Sequence, residues 1–306
     1  MLPSPTASGP DRLGRAGSDH SAVNTGLLAA PVAGPAPASL AAPEEASVLA
    51  GGCFARVLPL DPTCSRAARS YFREAVAGMG LPGDLTHDGV TMASELAANT
   101  LHAQENVEYS GSSHLPVSGC PEFWLYLRGA GTACELVCKV FDSQPGWNSG
   151  ELPDVNMRTA ESVNGRGLQV VAGLSAGQWG AHLTRGRLGS WKVPGKVVWF
   201  GLRVPPSCEA VARRRLAIGG CGAVDDLEAM LVGRGLGGRL VRADQAGSGI
   251  SVLSIAHGLT VWCHRDQASW RAPDGHYERR SLTDLVEVAE LIVCAHEELR
   301  AAAGRA

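Results

Sequence analysis

An α+β fold, a two-layer sandwich with helices on one face of a mostly antiparallel sheet, is the architecture predicted by three features of this 306-residue chain. Two helix-period segments precede two alternating, strand-like segments separated by the short turn "AGTA". A long aperiodic stretch follows. Beyond it lie a short apolar helix and two further strands, so the order β-α-α-β-β-loop-α-β-β groups the helices on one layer.

Residues 1–50 are rich in Pro, Ala, Gly and Ser and contain almost no aromatics. Such a segment cannot bury enough surface to offset its ordering entropy, so a disordered arm is expected. "CFARVLPL" reads as a short strand, followed by a helix from about Thr63, whose hydroxyl could cap it, to about Met79. "GLPGD" breaks the chain before a second helix from about Asp84 to Ala103. "EFWLYLRG" and "CELVCKVFD" alternate as strands, and "LQVVAGLSA", "QWGAHLTR" and "KVVWFGLRV" continue as helix, strand and strand. Residues 143–164 carry Pro, Asn and Gly without periodicity, the composition and length of a lid or binding segment. Pro205 and Pro206 end this domain, which spans 51–205. In residues 206–306, "DDLEAMLVGRG" is helical, four meander strands follow with an Asp274-Gly275 turn after them, and "LTDLVEVAELIVCAHEELRAA" is a strongly amphipathic helix. These residues read as a second, small α+β module of unassigned role.

A formal charge of −3 gives no electrostatic reason to expect nucleic acid, which is held by clustered Lys and Arg. No apolar stretch reaches the ~18–20 residues that a bilayer span requires, so no membrane partner is expected. "LLAAPVAGPAPASLAA" is broken by Pro31, Pro35 and Pro37, which suit the helical core of a secretion signal poorly. The nine cysteines are scattered without paired C-x-x-C spacing and read as reduced thiols of a cytoplasmic protein. Cys134 and Cys138 would share one strand face, too far apart for a disulfide.

The segment "SELAANTLHA" places Glu95, Asn99 and His102 in a small, apolar run. At ~100° per residue Asn99 lies about 40° from Glu95, and His102 about 20° on the other side. Val90, Ala93, Leu96, Ala97, Thr100 and Leu101 take the opposite face. Alone, such a stripe is an ordinary solvent-facing one. Asp142, however, ends a strand where the lid begins, and "NGRGLQVV" sets Gly165 and Gly167 at a helix start, where bare N–H groups and the helix dipole favour phosphate. In that order, the three pieces describe a nucleotide pocket.

"VTMASELAANTLHA", "VCKVFDSQPG" and "NGRGLQVVAGLSAGQWG" resemble the N, G1 and G2 boxes of the ATPase superfamily that includes gyrase, heat-shock chaperones, mismatch-repair ATPases and histidine kinases. Within it the chain is most similar to bacterial anti-sigma-factor serine/threonine kinases, over roughly residues 53–204. The resemblance implies the Bergerat ATP-binding fold, ATP and Mg²⁺, and a partner protein such as a sigma factor or an anti-anti-sigma-like regulator; it leaves a homodimer open. It further implies that Asn99 holds Mg²⁺ through its side-chain oxygen and that Glu95 is the general base. His102 would lie near the phosphates or the lid, and Asp142 would accept from the adenine amino group. Gly146 belongs to the G1 box, where Gln144 stands in place of the superfamily's first glycine. Gly165, Arg166, Gly167 and Leu168 would form the phosphate-side helix start.

Other motifs lack their context. "GLSAG" has a helix before Ser175 and a strand after it, the inverse of a nucleophile elbow. "HRD" at 264–266 has Arg271 where a kinase loop needs Asn, and "PGK" lacks the rest of a Walker A loop. Trp262, Trp270 and Tyr277 are expected in core or hairpin packing rather than at a binding surface. No dimerising hairpin with a phosphoacceptor His precedes the pocket, which disfavours a sensor histidine kinase. Two functions are therefore expected, a protein serine/threonine kinase or an ATP-dependent interaction module with little phosphoryl transfer.

Overall fold

The computed structural model describes residues 48–109, 120–143, 166–189, 192–212, 222–245 and 247–304. Residues 1–47 of the N-terminal arm, most of the lid with Gly146 and Gly165, and Cys221 lie outside these residues. The arm's last three residues, Val48–Ala50, are ordered as a 3-10 turn whose Val48 packs into the core, contrary to the expected disorder. The protein is α+β with two five-stranded antiparallel sheets. In the first, β1 (Phe54–Val57), β2 (Glu122–Arg128), β3 (Glu135–Asp142), β4 (Trp179–Arg185) and β5 (Pro194–Arg203) stand in the order β1-β2-β3-β5-β4. Helices α1 (Cys64–Val76), α2 (Gly83–Tyr109) and α3 (Arg166–Leu174) cover one face.

Alternation along the strands decides what meets those helices. Leu136, Cys138 and Val140 of β3, with Phe123 and Leu125 of β2 and Phe200 of β5, pack against Phe72 of α1 and Met92, Leu96 and Ala97 of α2. Cys134 and Cys138 both join this core as buried thiols. Gly89 lets α1 and α2 close, since a Cβ there would stand 2.1 Å from the Phe72 ring. The helix-interior glycine costs about 1 kcal/mol against alanine, and it makes room for a fully buried aromatic. Thr63 does not act as the cap expected of it. Its hydroxyl donates to Asp61 Oδ1 at 2.5 Å, and no side-chain cap bond forms at the start of α1.

The second sheet contains β6 (Val241–Gln245), β7 (Ile250–Ala256), β8 (Leu259–His264), β9 (Gln267–Arg271) and β10 (Tyr277–Ser281), in sequential order. β10 follows the Asp274-Gly275 turn and is additional to the strands read from the sequence. With α4 (Ala223–Leu231) and α5 (Leu285–Ala303), this sheet shares one core with the back of the first: Trp124, Tyr126, Val137 and Phe141 join Leu231, Ile255, Trp270 and Ile292. Trp270 is buried there as expected. Trp262 and Tyr277 are instead 54% and 80% exposed, because their strand positions face outward.

A charged cluster lies between the first sheet and α5. Glu290 is fully buried and accepts from Thr184 Oγ1 at 2.8 Å and from Arg234 Nη1 at 2.6 Å. Arg187 Nη2 is 3.4 Å from it and Lys139 Nζ 3.8 Å. The guanidinium carbons of Arg187 and Arg234 stand 5.0 and 5.1 Å from the Trp124 ring centroid. Although burial opposes ionisation, these cations hold Glu290 well below the usual carboxylate range. His182 lies 3.0 Å from Lys139 Nζ through Nε2, while Nδ1 meets the Leu183 carbonyl, so the ring stays neutral with its lone pair toward the ammonium. Burial and then the Lys139 charge push its pKa down to about 4.

An acid sensitivity follows. Unfolded histidine takes up its proton near pH 6.5, whereas native His182 does so only near 4. In that window the unfolded state binds more protons, so stability falls as pH falls. Between pH 7.5 and 5 the loss should be about 2 kcal/mol, read from urea unfolding at each pH. The His182→Gln variant should lose correspondingly less over the same range.

Candidate functional site

Glu95 and Asn99 project from α2 toward the first turn of α3. An ideal Cβ on Gly167 would lie 2.8 Å from Glu95 Oε2 and 3.3 and 3.4 Å from the two Asn99 amide heteroatoms. The two side chains and the α3 N-terminus therefore meet, and glycine is the residue that permits it. The opposite side of α2 is packed as its periodicity predicts: Val90, Ala93, Leu96, Ala97 and Thr100 are buried, and Leu101 is half-buried. One helical turn beyond Asn99, His102 is exposed on the same stripe.

The amide of Asn99 is not satisfied. Its Nδ2 is buried and has no hydrogen-bond partner among the described residues, a cost of about 1–3 kcal/mol for a polar group. An amide orientation is assigned by its bonds, so the unsatisfied position can present either N–H or C=O. As N–H it suits a phosphate oxygen; as C=O it suits a hard cation. The Asn99 amide oxygen is a hard donor that fits Mg²⁺, and the Glu95 carboxylate stands beside it. The positive end of the α3 dipole lies at the same point and favours an anion there.

The remaining expected residues divide. Arg166 opens α3 and is exposed, while Gly167 is buried. Leu168 is also buried, but its side chain belongs to the helix-side core with Val171, so only its backbone is left to serve a ligand. Asp142, at the end of β3, alternates with Cys138 and Val140 and so lies on the helix-covered face of the sheet. It is buried, and Lys196 Nζ donates to its Oδ2 at 3.0 Å. Sequence reading missed Lys196 because the pair is made by ladder register, Asp142 opposite Lys196 on β5. Gly146 and Gly165 fall outside the described residues.

The rejected motifs keep their local contexts. Ser175 follows α3 and precedes β4, His264 ends β8, and Arg265 and Asp266 form the β8–β9 turn. Among the described residues, no three His, Cys, Asp or Glu side chains cluster as a metal site, and no helix is long and apolar enough to cross a membrane. The cysteines among them form no disulfide. No protein-family model matches the chain, and no curated protein matches it either.

Proposed function

We propose that the chain is an ATP-binding regulator of the anti-sigma-factor kinase type, with a Bergerat-type nucleotide fold, that transfers the γ-phosphate to a Ser or Thr of a partner protein. The observation that carries this reading is the meeting of Glu95 and Asn99 with Gly167 in the first turn of α3. Phosphoryl transfer depends mainly on positioning and charge neutralisation, and the convergence of two polar side chains on a helix N-terminus supports the first. A phosphate drawn to the helix N-terminus also faces the Glu95 carboxylate, so a divalent cation would relieve the repulsion. Asn99, through its side-chain oxygen, would hold Mg²⁺, and Mg-ATP would bring the phosphoryl group. Glu95 takes the proton of the incoming hydroxyl. Asp142, which accepts from Lys196, also receives the adenine amino group.

A second reading, an ATP-dependent interaction module with little transfer, draws on that same ion pair. The carboxylate expected to select adenine already spends one oxygen on Lys196. Incubation with labelled ATP and candidate partner proteins separates the two: label on a partner Ser or Thr supports the kinase, and ATP binding without label supports the module.

Gly167→Ala tests the geometry itself. Its methyl would press on the far end of Glu95 at 2.8 Å and on the Asn99 amide at 3.3 and 3.4 Å, side-chain ends that can shift, so stability should change by less than about 1 kcal/mol in thermal unfolding. Transfer should fall by about 10²-fold, since the base is then misplaced. Unchanged transfer in a folded Gly167→Ala protein would remove Glu95 from the reaction.

A further inference from the structure

A cleft of about 550 Å³ opens on the other side of the molecule, between the end of β4, the glycine-rich turn after α4, β7 and the last turns of α5. Its volume falls within the ~300–1,000 Å³ of small-molecule sites. Arg185, Arg239, His257, His296 and Arg300 line it, and none of its lining residues is acidic. Leu236, Ile255 and Leu299 supply apolar wall. Gly235 and Gly238 leave the turn without side chains, and Gly235 requires its glycine, having φ +79° with Lys192 Cβ 3.1 Å from its own Cβ position.

The charge of this cleft is only partly compensated. Behind the wall, Glu297 accepts from Arg185 Nε at 2.5 Å and meets His296 Nδ1 at 2.8 Å and Arg300 Nη1 at 3.4 Å. Burial opposes its ionisation, yet His296 and Arg185 hold its pKa below the usual value. One carboxylate thus answers three basic groups. Arg239 and His257 are exposed and make no ion pair among the described residues. Like charges held around one concavity repel unless an anion enters, and guanidinium groups bind phosphate oxygens through charge-assisted bonds.

We propose that this cleft binds a small organic phosphate, its phosphate between Arg239 and Arg300 and its apolar body on Leu236, Ile255 and Leu299. The site is separate from the Glu95–Asn99 face and does not rest on the nucleotide reading. Arg185 fixes the wall through Glu297, whereas Arg239 makes no ion pair among the described residues and Arg300 is exposed and reaches Glu297 through one 3.4 Å contact, which leaves guanidinium donors for a ligand.

Calorimetric titration of the full chain with phenyl phosphate tests the proposal, with phenol and inorganic phosphate as the two part-ligands. One site is expected for phenyl phosphate, weaker binding for each part, and affinity falling with added salt. Arg239→Gln and Arg300→Gln should each weaken phenyl phosphate by about tenfold, with circular dichroism confirming the fold. Asn99→Ala should leave this binding unchanged. Loss in Asn99→Ala with retention in both arginine variants would place the ligand on α2 and overturn the proposal. No binding of phenyl phosphate, or binding only to vesicles containing phosphatidic acid, would do the same.

Discussion

Glu290→Ala is expected to lower the unfolding free energy by about 3–5 kcal/mol, since removing one partner of a buried ionic group leaves its opposite charges uncompensated. Arg234 is fully buried, Arg187 is 2% exposed and Lys139 is 2% exposed, so none of the three can turn to water when the carboxylate goes. Thr184 also loses its acceptor. The loss should appear as a lower urea midpoint with little change in slope. Glu290→Gln keeps an acceptor for Thr184 but not the charge, and should fall between alanine and the parent. Replacing both Glu290 and Arg234 by Leu and Met should recover part of the loss, because the apolar pair leaves fewer unmatched charges. A Glu290→Ala protein with the parent midpoint would show that the cluster adds nothing to holding α5 on the first sheet.

Asn99→Ala is expected to abolish Mg-ATP binding in calorimetric titration, whereas Glu95→Ala should spare binding and slow transfer by about 10²–10⁴-fold. The two side chains differ in what they offer at Gly167: an amide left unsatisfied in the fold, and a carboxylate able to take a proton. Glu95→Gln refines the comparison, as it keeps the shape beside Gly167 and removes only the basic oxygen. Retained Mg-ATP affinity in Asn99→Ala would exclude the metal role. Loss of binding in Glu95→Gln would make Glu95 a binding residue rather than a base.

Much of the candidate site was legible because it is local. Glu95 and Asn99 share a stripe by helix geometry, and a glycine before an apolar helical run marks a close approach of backbone. The structure brings these two elements together at Gly167. Leu168 was less legible, since its place at the helix start says nothing of the core that receives its side chain. Lys196 was not legible at all. Its pairing with Asp142 depends on the β3–β5 register between residues 54 positions apart in the chain. Trp262 and Tyr277 look like core residues by composition, but the face of a strand that meets a partner layer is decided elsewhere in the chain.

The C-terminal helix shows where local information stops. Its amphipathic period determines a helix that must bury one face, but not what its glutamates meet. In the fold Glu287, Glu290 and Glu297 turn toward the first sheet, meeting Tyr126 and Arg128, Thr184 and Arg234, and Arg185 in turn. Sequence alone therefore determined every strand but β10, the main helices, their order and the polar stripe on α2, all set by neighbours within a few turns. Only tertiary structure decided that the second sheet and α5 close over the back of the first. That choice rests on charges more than fifty residues apart, which stabilise one another only after burial has removed the water between them.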